Sequence, residues 1–205
     1  MERTNPAQPV NNLPAKIAVF ASGTGTNAAK LISYFKDSAV ARVALIVCNK
    51  PGAGVLAIAE KEGISTLVIE KERFFRGDAF VPQLADAGIR FVVLAGFLWK
   101  VPQALIDAYP RRIVNIHPAL LPKFGGKGMY GQYVHEAVLQ AGERETGITV
   151  HFVDEHYDSG DIIFQTACPV LDDDTPETVA ARIHQLEHQH YPQVVEDVVK
   201  KAFSV

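Results

Sequence analysis

Apolar residues fall into short unbroken runs up to about residue 116, and stretches of helical spacing separate them. Ile17-Ala18-Val19-Phe20 is the first run, and a glycine-rich turn follows it. A continuous run of this length, with no polar alternation, predicts a strand buried on both faces. Asn27 to Phe35 then places Leu31, Ile32 and Phe35 on one face of a helix. The rhythm repeats. Val43 to Cys48 predicts a strand, closed by the turn Asn49-Lys50-Pro51-Gly52, and Ala53 to Glu62 a helix with Gly63 as its C-cap. Thr66 to Ile69 predicts the third strand, and Asp78 to Ala87 a helix stopped by Gly88. Phe91 to Ala95 predicts the fourth strand, Pro102 to Ala108 a short helix with proline in its first turn, and Arg112 to Ile116 the fifth strand.

Strand and helix in alternation imply a parallel sheet covered on both faces. Right-handed crossovers put the C-terminal ends of the strands along one edge, where open sheets of this kind bind ligands. After Ile116 the pattern changes. His117 to Gly131 is a long loop rich in glycine and proline, and Gln132 to Gln140 predicts a helix. Thr149 to Val153 and Asp161 to Thr166 are strand-like, with a polar loop from Asp154 to Gly160 between them, so a hairpin or antiparallel edge is expected. Thr175-Pro176 opens a helix that Pro192 is expected to break or kink, with a short last helix reaching about Ala202. The expected fold class is therefore α/β: a Rossmann-like, mostly parallel sheet with helices on both faces and an antiparallel element near the C-terminus. Residues 1–14, with three prolines and little apolar content, read as a flexible tail, and 15–205 as a single domain.

Composition narrows the function. The chain has 205 residues, of which 48% are hydrophobic, enough for a sizeable core. A net charge of -3 with scattered basic residues does not fit a nucleic-acid binder. No run is long enough to span a membrane and no signal-peptide pattern opens the chain, so a cytoplasmic location is expected. Cys48 and Cys168 are far apart and read as buried free thiols of a reducing compartment.

Three segments carry candidate chemistry. Ser22-Gly23-Thr24-Gly25-Thr26-Asn27 joins the first strand to the first helix. Amides at such a helix start point at an anion, so Gly23, Thr24, Gly25, Thr26 and Asn27 can hold a phosphate. The full dinucleotide pattern is incomplete, since Ala28 stands where the third glycine belongs. A tight turn without a ligand is the other reading. Asn115 and His117 lie two apart at the end of the fifth strand and so project together, with Pro118 bending the chain away. A carboxamide beside an imidazole can stabilise an oxyanion. Asp158, in the late polar loop, would raise the pKa of His117 if the two meet; alone it is a turn residue. Finally, His184-Gln185-Leu186-Glu187-His188 spells a zinc-hydrolase order, H-x-x-E-H, without an identifiable third ligand.

Several strings together resemble the phosphoribosylglycinamide formyltransferases of the folate-dependent formyltransferase family, from about Lys16 to the C-terminus. They are Ser22 to Asn27, Leu94-Ala95-Gly96-Phe97, Asn115-Ile116-His117-Pro118-Ala119-Leu120-Leu121-Pro122, Gly147 to Val153, and Glu187-His188 ahead of Tyr191-Pro192. The resemblance implies transfer of a formyl group from the cosubstrate 10-formyltetrahydrofolate to the amine of 5'-phosphoribosylglycinamide in purine biosynthesis. No metal is expected, and the partners expected are the two substrates, for a monomer or homodimer. The resemblance implies Asn115, His117 and Asp158 as catalytic residues, with Asp158 keeping the imidazole charged. The substrate phosphate would sit on Gly23 to Asn27, and Glu187 would hold ribose hydroxyls. Leu98, Trp99, Lys100, Val101, Asn115 and Asp154 would receive the folate, and Arg76 its glutamate tail. Members of the family carry an arginine after the Gly-Phe segment; here the run is Leu98-Trp99-Lys100. The glycine-rich stretch 123–131 is expected to act as a lid. Methionyl-tRNA formyltransferase shares the Asn-x-His-Pro chemistry but needs an additional tRNA-binding domain, and formyltetrahydrofolate deformylase, a hydrolase, carries an additional regulatory domain. A phosphometabolite-binding protein without catalysis would leave Asn115, His117 and Asp158 without a purpose.

Overall fold

The five apolar runs become five parallel strands in the computed structural model, which describes residues 13–203. They are β1 (Ala15–Ala21), β2 (Ala41–Cys48), β3 (Ser65–Val68), β4 (Phe91–Leu94) and β5 (Ile113–His117). Two later strands, β6 (Glu145–Phe152) and β7 (Ile162–Pro169), pair antiparallel and extend the same sheet. The order across the sheet is β3-β2-β1-β4-β5-β6-β7. The chain runs outward from β1 toward β3, then returns to place β4 on the other side of β1. The C-terminal ends of β1 and β4 therefore flank the point where the topology reverses, which opens a crevice.

Helices cover both faces. α1 (Thr26–Phe35), α2 (Gly54–Lys61) and α7 (Pro176–Phe203) bury Leu31, Phe35, Val55, Ile183, Tyr191 and Val195 against one face. α3 (Lys71–Arg76), α4 (Val81–Asp86) and α5 (Gln103–Ala108) bury Phe74, Leu84 and Leu105 against the other. α6 (Gln132–Gln140) follows the glycine-rich loop and buries Val134 and Val138. The tail expected over residues 1–14 lies outside the described residues except for its last two positions.

Three expectations change. α7 continues through Pro192 as one helix of 28 residues, without the expected break. Proline there removes a helical hydrogen bond and costs about 3 kcal/mol in a free helix. The buried stripe from Val179 to Val199 outweighs that cost, and the Tyr191 hydroxyl donates to the Leu94 carbonyl at 2.7 Å, tying the helix to β4. The expected helix over Asp78 to Ala87 shortens to α4, because Ala79 and Phe80 take positive φ and the Asp78 carboxylate accepts the Phe80 amide at 2.9 Å. α3, six residues long, is too short for its spacing to show in the sequence; buried Phe74 anchors it.

Candidate active site

Gly25 makes the first turn possible. Its φ is +81°, and a Cβ there would come within 2.7 Å of the Val55 side chain. The turn thus passes directly over the start of α2 and delivers Thr26 as the first residue of α1. The Ser22 amide donates to the Gly96 carbonyl at 3.0 Å, and the Leu98 amide to the Ser22 hydroxyl at 2.9 Å. These bonds fasten the turn after β1 to the segment after β4.

A cavity of about 560 Å³ opens over this edge of the sheet. Its walls include Gly23 to Asn27, Leu98 to Val101, Asn115, His117, Asp154, Asp158 and Glu187. Residues expected to bind phosphate, ribose, folate and the formyl group therefore share one space. Arg76 is not among the lining residues; it lies exposed on α3 and pairs with Glu72 at 3.1 Å.

The catalytic candidates meet. His117 Nδ1 lies 3.6 Å from Asp158 Oδ2, both little exposed. Asn115 Nδ2 is 3.5 Å from Asp158 Oδ1 and 3.1 Å from His151 Nε2. His151 Nδ1 is 2.8 Å from the Phe152 carbonyl. A carbonyl only accepts, so His151 Nδ1 carries a proton and donates it there, while its Nε2 edge faces Asn115 and lies 3.6 Å from Asp158 Oδ1. The glycine-rich loop closes over the pair. His117 Nε2 donates to the Phe124 carbonyl at 2.8 Å, and the Gly126 amide donates to Asp158 Oδ2 at 2.9 Å.

Burial decides the charge of His117. It lowers the imidazole from its ordinary 6.5; Asp158 and the Phe124 carbonyl pull upward and His151 downward, and the net direction is down. The expected rise is thus corrected. The carboxylate is in place, but loss of solvent outweighs it, and His117 is a neutral Nε2–H donor. Asp158 goes the other way: burial acts to raise it, but His151, His117 and the Gly126 amide together hold it below 3.8. Burial raises the Glu187 carboxyl, while the Asn27 carboxamide, donating to it at 2.8 Å, limits the rise.

His151 and His135 line the cavity but were not singled out in the sequence. His151 faces Asn115 only because β5 and β6 pair antiparallel with those two residues opposite, a register that spacing alone does not reveal. His184 and His188 stack on successive turns of α7, their ring centroids 6.3 Å apart. Among the described residues no group of three or more His, Cys, Asp or Glu side chains is placed to hold a metal ion.

The formyl transferase family matches residues 15–195. A chloroplastic phosphoribosylglycinamide formyltransferase of Arabidopsis thaliana is 46% identical over 88% of this chain and 64% of its own length. The chain also spans 60% of the corresponding Vigna unguiculata protein, so it covers less than two thirds of these two plant relatives. The phosphoribosylglycinamide formyltransferase of Bacillus subtilis is 39% identical over 90% of this chain and 94% of its own. The crystal structure of phosphoribosylglycinamide formyltransferase from Bacillus halodurans superposes with a TM-score of 0.81 at 37% identity, covering 91% of this chain and 96% of that one. With the family match over residues 15–195 and these relatives in agreement, the chain belongs to the formyl transferase family.

Proposed function

We propose that the protein transfers the formyl group of 10-formyltetrahydrofolate to the amine of 5'-phosphoribosylglycinamide in purine biosynthesis. One observation carries this reading: Asn115, His117 and Asp158 meet in a cavity that continues to the Gly23–Asn27 turn. An acceptor with a phosphate at one end and an amine at the other fits that layout. The phosphate rests on the amides of the turn, and Glu187 takes the ribose hydroxyls. The pterin lodges against Leu98 to Val101 and the loop bearing Asp154 and Asp158.

The acceptor amine attacks the formyl carbon. A C–N bond forms, and the carbonyl electron pair moves onto oxygen. His117 leaves the Phe124 carbonyl and donates its Nε2–H to that oxyanion, with Asn115 beside it. Donors preorganised in this way act where charge develops. Collapse restores the carbonyl and breaks the bond to the folate nitrogen, which takes a proton. Asp158, held ionised, relays to that leaving nitrogen, through water, the proton that the amine loses. The stretch 123–131 serves as the lid, since Phe124 and Gly126 within it bond to the catalytic pair. The buried free thiols Cys48 and Cys168 support a reducing compartment such as the cytoplasm.

The test is an absorbance assay for released tetrahydrofolate, with phosphoribosylglycinamide present or withheld. Release that requires the acceptor is expected. Equal release without it would make the protein a hydrolase and reject the reading.

A further inference from the structure

His135 is a buried polar residue that the mechanism above does not use. It sits on α6 with 3% of its surface exposed, between Val134 and Val138 on the packed side of that helix. Its ring also lines the cavity. Its Nδ1 is buried without a hydrogen-bond partner. A leucine there would pack equally well and strand nothing, so packing does not account for an imidazole.

The stranded atom fixes the tautomer. A proton on Nδ1 would leave a buried N–H with nothing to donate to, and orphaned donors are rarer in folded proteins than under-satisfied acceptors. The proton therefore belongs on Nε2, the opposite edge of a ring that borders the cavity. Burial, reinforced by His184 and His117, holds the imidazole down to about 4. His135 is thus an uncharged N–H donor at neutral pH. The same two neighbours locate it: His184 lies one helical turn before Glu187, which accepts from Asn27 of the glycine-rich turn, and His117 belongs to the reacting group.

On the reading proposed above, the acceptor spans those ends. Between its ribose and its amine lie an amide N–H and an amide carbonyl, and only the carbonyl matches a donor. We propose that His135 is an acceptor-binding residue whose Nε2–H donates to the amide oxygen of the glycinamide group, aligning the amine on the formyl carbon. A neutral donor suits this place. An imidazolium would set a second positive charge beside an amine that must lose its proton to attack.

Steady-state kinetics of purified His135→Phe and His135→Gln test the assignment. His135→Phe is expected to raise the KM for phosphoribosylglycinamide roughly ten-fold, the scale of one lost hydrogen bond to a buried partner. The KM for 10-formyltetrahydrofolate stays unchanged, and His135→Gln, which keeps an N–H donor, recovers part of the loss. An unchanged acceptor KM, or a parallel rise in both KM values, overturns the proposal. Should His135→Phe fail to fold, ¹⁵N spectra of the histidine-labelled wild type decide. The His135 Nε2 signal should move with phosphoribosylglycinamide and stay still with ribose 5-phosphate, which lacks the amide; any other pattern overturns it. Wild-type enzyme that transfers no formyl group refutes the proposed function instead, so the two failures are distinct.

Discussion

His117 shows how one side chain is set by opposed effects. The Asp158 carboxylate 3.6 Å away favours its charged form, but burial outweighs the carboxylate and keeps the ring neutral. Its single proton then points at the Phe124 carbonyl, the place a formyl oxygen would take. Replacing His117 by alanine removes the donor. The expected loss is about 100- to 1000-fold in kcat, with little change in far-UV circular dichroism or Tm. Asp158→Asn should lose most activity as well, because the amide cannot take the proton from the amine. Near-normal turnover in purified His117→Ala would remove the histidine from the mechanism. The pairing of Asn115 with His117 was legible from their spacing of two on a strand. That Asp158 and His151 complete the group was not, since both arrive from a hairpin whose register depends on contacts distant in sequence.

Among the elements, α7 departs furthest from its sequence pattern. Local rules end a helix before Pro192, yet the helix continues because its buried stripe is held along the sheet. The Tyr191 hydroxyl is central to that anchorage. It is fully buried and reaches the carbonyl at the end of β4, beside the segment proposed to hold the pterin. Tyr191→Phe deletes the donor and leaves the Leu94 carbonyl unpaired. A destabilisation of about 1–3 kcal/mol is expected, read as a shift in the urea midpoint at unchanged slope. An unaltered midpoint would mean that packing alone seats the helix. The strands were legible because burial on both faces leaves unbroken apolar runs. α3 and the early start of β6 were not, because α3 is short and the first residues of β6 owe their pairing to β7. Gly147 marks that pairing: a Cβ there would collide with the Thr166 carbonyl oxygen.

At the scale of the molecule, strand order had to come from the structure, since alternating strands and helices allow more than one order. The observed order puts β1 and β4 at the reversal and gathers the candidate residues over one crevice. Gathering buried histidines there has a global consequence. His117, His135 and His188 are all held below the ordinary 6.5, in each case chiefly by burial. The unfolded chain therefore takes up protons near pH 6.5 that the folded chain refuses. Their contribution to stability is complete above that value and is lost as the pH falls toward about 4, where His135 titrates. Each unit of separation corresponds to about 1.4 kcal/mol. Glu187 opposes them, because its raised carboxyl favours the folded state at low pH and loses that advantage as pH rises above 4.5. Asp158 does not enter this window, since its contribution holds until the pH drops below 3.8. Three imidazoles against one carboxyl make the net slope positive. Tm should fall as the pH is lowered from about 7.5 to about 5. His135→Phe should flatten that fall, since the histidine pushed furthest from its ordinary value is gone. A Tm that holds steady or rises over this range would mean that the buried rings admit protons as readily as free histidine, and the neutral state assigned to His117 and His135 would fall with it.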